Sequence, residues 1–116
     1  MAFTNETKEV AALAAAGRGD WISLHTGDPG TTGANEATGG SPAYARKQTV
    51  WSGGSSDGSV PGSVVAFDVP AGEYTHIGVW TASTAGTFVG GFALASSTGE
   101  LPGQTTVNAT PAITVG

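Results

Sequence analysis

A strand signal that runs straight into a turn signal constrains this chain more than any other feature. In Trp21-Ile22-Ser23-Leu24-His25-Thr26 the side chains alternate, with Ile22 and Leu24 on one face and Ser23 and His25 on the other. Gly27-Asp28-Pro29-Gly30 follows at once. Asp28 supplies a side-chain acceptor, Pro29 a fixed φ and Gly30 a residue at ease with positive φ, so the three are read as turn architecture. Period-two segments recur at 43–51, 63–69, 74–81, 86–94, 105–109 and 112–115. Each is bounded by turn residues such as Gly53-Gly54, Pro61-Gly62, Pro70-Ala71-Gly72 and Pro102-Gly103. About seven short strands so punctuated predict an all-β fold, an antiparallel β-sandwich of jelly-roll or immunoglobulin-like type.

The segment 74–81 carries bulk on both faces, Thr75, Ile77 and Val79 against Tyr74, His76 and Trp80, and is expected to be central. In 86–94, Phe88, Phe92 and Leu94 share a parity with Gly90 between them, which predicts a close approach to a bulky ring, Trp80 or Trp51. Ahead of the strands, Thr4 or Asn5 caps a short helix over 5–16 that Gly17 ends. Its apolar stripe is Val10, Leu13 and Ala14 among alanines, so it is expected to lie flat over a sheet edge or a neighbour. With 116 residues the chain is read as one domain, 1–116.

Composition narrows the function classes. With 19 glycines and only 11% charged residues, the surface is dressed in Ser, Thr and Gly, which opposes little electrostatic penalty to contact with another copy. A net charge of −5 with four cations, Lys8, Arg18, Arg46 and Lys47, argues against direct nucleic-acid binding. The absence of cysteine excludes a disulfide scaffold and thiolate metal sites. Neither a basic leader nor an apolar run of membrane length is visible, so a cytoplasmic product with no membrane partner is expected.

Candidate chemistry is sparse. Gly54-Ser55-Ser56-Asp57-Gly58 fits the G-x-S-x-G pattern with His25 or His76 as base, but a nucleophile elbow needs a strand before it and a helix after it. His25 with Asp28 and His76 with Glu73 match no standard metal spacing, and no cofactor is expected. Glu36 and Arg46 stand alone in uncharged sequence, and a bidentate pair between them would fasten the long loop 27–42 to the second strand. Trp21, Tyr44, Trp51 and Tyr74 are candidates to stack on sugars, against the plainer reading that they fill the core.

The segment Ile22-Ser23-Leu24-His25-Thr26-Gly27-Asp28-Pro29-Gly30, followed by Gly33, Asn35-Glu36, Tyr44-Ala45-Arg46 and Thr75-His76-Ile77-Gly78-Val79-Trp80, resembles a family of small tailed-phage structural proteins known as tail fibre or minor tail proteins. The resemblance implies a virion component with no enzymatic role, made in the cytoplasm of a bacterial host. The expectation is a tail-associated protein in several symmetric copies, whose partners are itself and other virion proteins. The helix 5–16 and the loop 27–42 are the expected contacts, with Asp28, Pro29, Gly30, Glu36, Tyr44, Arg46, His76 and Trp80 as structural or interface candidates. Two alternatives stand beside it. A capsid decoration protein is one, because 116 residues hold no long shaft. A carbohydrate-binding module that attaches the particle to host glycans is the other.

Overall fold

A computed structural model describes residues 2–115. Among them one helix, α1 (Asn5–Ala16), precedes eight strands: β1 (Trp21–His25), β2 (Lys47–Gln48), β3 (Ser59–Pro61), β4 (Val65–Val69), β5 (His76–Trp80), β6 (Phe88–Ala93), β7 (Thr105–Ala109) and β8 (Ala112–Thr114). Every pairing is antiparallel. A four-stranded sheet in the order β2-β1-β5-β6 is accompanied by two ribbons, β3-β8 and β4-β7.

Alternation explains the layering. Ile22 and Leu24 of β1 and Ile77 and Val79 of β5 turn inward and meet Val65, Phe67 and Val69 of β4, so the sheet and the β4-β7 ribbon pack as a sandwich. β1 and β5 are the two central strands, and both are buried on both faces from their second residue onward. Trp21 pairs with Trp80, Ser23 with Gly78 and His25 with His76, which brings the polar positions of the first strand onto one outer face with those of the fifth.

Three local expectations change. The segment 43–51 forms only the two-residue β2, because Tyr44, Arg46 and Thr49 make side-chain hydrogen bonds that hold the chain in an irregular course. A short β3, broken by prolines and glycines in the sequence, pairs with β8. In β6 a register shift opposite Val79 and Trp80 splits the aromatic parity: Phe88 packs on Trp80 at the outer face while Phe92 joins the inner core. The rings therefore press on Gly33 and Gly78, and the space beside Gly90 is open.

Helix α1 also turns otherwise than expected. Thr4 caps it, accepting from the Thr7 amide at 3.2 Å, and the Gly17 amide closes it on the Leu13 carbonyl at 2.9 Å. The face it buries is Ala12 and Ala16, which meet Val60, with Trp51, Ile113 and Val115 at the margin. Small side chains let the helix backbone approach the β3-β8 ribbon closely, and Val10 and Leu13 are left outward, 64% and 44% exposed.

Candidate functional site

The outer face of the four-stranded sheet is roofed by the chain between β1 and β2. After His25 the Asp-Pro-Gly turn closes on itself, with the Gly30 amide donating to Asp28 Oδ1 at 2.9 Å and Gly30 at φ 60°. Pro29 is buried, and its carbonyl accepts from the Gly33 and Ala34 amides. Asn35, at φ 64°, donates its side-chain amide to the Asp28 carbonyl and sends the chain back over the sheet. The returning segment then adds a single rung to β1, an antiparallel bridge between His25 and Glu36. The Ala37 amide donates to Leu24 and the Thr26 amide to Asn35, so this loop is a strap tied along its length.

Glu36 anchors its far end. Arg46 grips the carboxylate with two parallel bonds, Nε to Oε2 at 2.9 Å and Nη2 to Oε1 at 3.0 Å. Tyr44 donates its hydroxyl to the same Oε2 at 2.9 Å and accepts from the Leu24 amide at 3.0 Å. The second Arg46 amino group donates to the carbonyls of Ala82 and Ala85, and its guanidinium lies 3.6 Å from the centre of the Trp80 ring. One side chain thus joins the strap, the central strand and the β5-β6 turn. Burial pushes the Glu36 carboxyl up, and the bonds from Arg46 and Tyr44 together outweigh it, so its pKa lies below the ordinary 4.5. Burial raises the Tyr44 hydroxyl well above its usual range, and the neighbouring carboxylate raises it further.

Beneath the strap lies a closed polar chain. The His25 Nδ1 is 2.8 Å from the Ala34 carbonyl, which only accepts, so this nitrogen carries the proton. Its Nε2 then accepts from the Ser23 hydroxyl at 2.6 Å, and Ser23 Oγ accepts from the Trp80 indole at 2.9 Å. Every donor has an acceptor only while His25 is neutral. Burial lowers its pKa from 6.5; the Ala34 bond and the Glu36 charge offset this in part, while His76 and Arg46 lower it further. Gly33, at φ 79°, passes directly over the Trp80 ring, where a Cβ would lie 2.4 Å from Cζ2. A Cβ on Gly78 would meet Ser23, Phe88 and His25 within 3 Å. These two glycines make the ring stack fit.

A serine 2.6 Å from a histidine has the spacing of a nucleophile and its base. Here Ser23 and His25 are fully buried, and neither lines the groove beside β6 or the shallow cavity at Glu36 and Arg46. No hydrogen bond among the described residues joins Ser56 to either histidine. Of the residues singled out in the sequence, Glu36, Tyr44, Arg46 and Trp80 converge in one cluster, and Asp28, Pro29 and Gly30 form the turn that launches the strap. His76 stands opposite His25 and shares a hydrogen bond with Thr75 at 2.7 Å, outside the cluster. Ser23, Gly33, Gly78 and Phe88 complete the site without standing among its candidates: Phe88 meets Trp80, one of the two rings expected for it, and the other three lie in the segments that carry the family resemblance. Trp21, Tyr44 and Trp51 are half-buried and Tyr74 is buried, and the polar tips of Tyr44, Trp51 and Tyr74 are bonded inside the protein.

A clamped strap over a buried, hydrogen-bonded sheet face, on a small β-sandwich of low charge, defines a structural module. A family model described as podophage GP4 fiber I protein gp80 matches residues 4–116, and the chain belongs to that family of phage fibre proteins. No curated protein matches it.

Proposed function

We propose that the protein is a non-enzymatic, tail-associated structural component of the phage virion, built in as several copies that contact one another and neighbouring virion proteins. The observation that carries this reading is the family match, which runs through the turn, the strap and both central strands. The site supports it: the Glu36–Arg46–Trp80 cluster fixes a loop against the sheet and leaves no reacting group accessible beneath it. The strap's outer rim, with Thr38, Ser83 and Thr84 around a shallow cavity of about 360 Å³ that the paired Glu36 and Arg46 also line, offers hydroxyls suited to contact with a partner.

Purified virions provide the test. The chain is expected among the proteins identified by mass spectrometry, and immunogold particles against it are expected at the tail. Label on the head instead would make it a capsid decoration protein. Its absence from purified virions would overturn the structural reading, and saturable binding on a glycan array would add a host-attachment role.

A further inference from the structure

The inner side of β6 is not fully covered. Val79, Val89, Gly90 and Phe92 floor a groove of about 410 Å³, walled by Ala15 of α1 and Ile113 of β8. None of these residues is charged. Gly90 is the informative position. A glycine inside a strand weakens it, and is normally kept where φ is positive or where something stands close to the backbone. Gly90 is not among the positive-φ glycines, and a Cβ built on it would meet nothing within 4 Å. Within one molecule nothing requires this glycine, whereas its neighbour Gly91 is required, since a Cβ there would lie 2.6 Å from Pro29 and 2.8 Å from the Ile77 carbonyl.

The same molecule carries an exposed apolar ridge, touched at one edge where Leu13 rests against Gly53. From Val10 to Gly17 the outward side of α1 is Val10, Ala11, Leu13 and Ala14, all exposed, and the inward side is alanine, so the last two turns are apolar all round. A helix of that kind is normally enclosed. With a net charge of −5, two copies repel each other generally, and a charge-free ridge and a charge-free groove are the faces on which they can meet.

We propose that the outer face of α1, led by Val10 and Leu13, docks in the β6 groove of a second copy, with Gly90 absent a side chain so that the helix backbone can approach the strand. The ridge and the groove are different surfaces, so the contact is head-to-tail, each copy giving one and receiving one. The inference rests on the multi-copy reading above and specifies its contact.

Sedimentation of the full chain and two variants tests it. Gly90→Leu fills space that is empty in the single molecule, so its circular dichroism and unfolding midpoint are expected to match wild type. Its self-association is expected to weaken by at least about tenfold. Val10→Glu places a charge on the ridge and is expected to do the same. A mixture of the two regains one sound junction, the ridge of the Gly90→Leu chain in the groove of the Val10→Glu chain, and is expected to form pairs that neither variant forms alone. Wild type that stays monomeric, Gly90→Leu that associates as wild type does, or a mixture that stays monomeric would overturn the proposal. Should the monomeric chain nevertheless be found in purified virions, the structural reading stands and only this contact fails.

Discussion

Arg46 is the residue on which the strap depends most, because its side chain is 9% exposed and meets a carboxylate, two carbonyls and an indole ring at once. Arg46→Ala leaves Glu36 partly buried without its cation, and a loss of about 2–4 kcal/mol in urea unfolding is expected. Glu36→Gln should cost about 1–3 kcal/mol, and a double-mutant cycle should return a coupling above about 1 kcal/mol. A coupling near zero would reduce the pair to an ordinary surface contact. His25 sets a pH dependence. Its folded pKa is depressed below the ordinary 6.5, so as pH falls the unfolded chain takes up the proton first. Stability is therefore full above 6.5 and is lost as pH drops from there through the depressed value, and Glu36, held below 4.5, adds a second loss beneath that pH. Unfolding midpoints measured from about pH 8 to about pH 5 should fall in wild type and stay flat in His25→Gln. Equal slopes would place the titration elsewhere. The Glu36–Arg46 pair was legible as two charges isolated in uncharged sequence; the Tyr44 bond to the same carboxylate was not. That Gly33 lies over Trp80 was not, because a glycine's need for space depends on what the fold brings to it.

At the scale of elements, the strands with two buried faces announced themselves through alternation flanked by turn residues, and β1 and β5 lie where their pattern puts them. The pattern failed where side chains took over the work of the ladder, as in 43–51, and where a bulge reset the parity, as in β6. Helix α1 kept its bounds and reversed its face: an Ala12–Ala16 side packs closer to a ribbon than Val10 and Leu13 would, and sequence hydrophobicity alone favours the larger residues. The bulge in β6 yields a sharp test, because adjacent glycines should behave oppositely. Gly91→Ala forces a Cβ against Pro29 and a backbone carbonyl and should cost about 1–3 kcal/mol. Gly90→Ala meets open space and should leave stability unchanged or raise it by up to about 1 kcal/mol, since alanine loses less backbone entropy on folding. Thermal unfolding of the two variants decides it. Equal effects would mean that the register shift between Val79 and Trp80 is not present in solution.

The whole molecule divides its apolar contacts between two clusters. The larger one fills the sandwich around Phe67, Ile22 and Ile77, and the smaller one holds α1 to the β3-β8 ribbon through Ala12, Ala16 and Val60. Trp51 borders both, bridges to Gly62, and donates its indole N–H to the Gly19 carbonyl at 2.8 Å, just beyond the end of the helix. The helix cluster buries little besides alanine and one valine, and Glu9, buried beside it, has one carboxylate oxygen without a partner. By the area-based scale of apolar burial, such a cluster stabilises far less than the sandwich core. The helix should therefore open before the sandwich does, as a separate unit of lower stability. Native-state hydrogen exchange should show the amides of Ala12 to Ala16 less protected than those of Leu24, Ile77 and Val79. Trp51→Ala should lower global stability by about 2–4 kcal/mol and reduce helix protection by more than that of the central strands, because it removes a large side chain that packs against both clusters. A uniform drop across helix and strands would show that the chain unfolds as one cooperative body, and that Trp51 supports both clusters without dividing them.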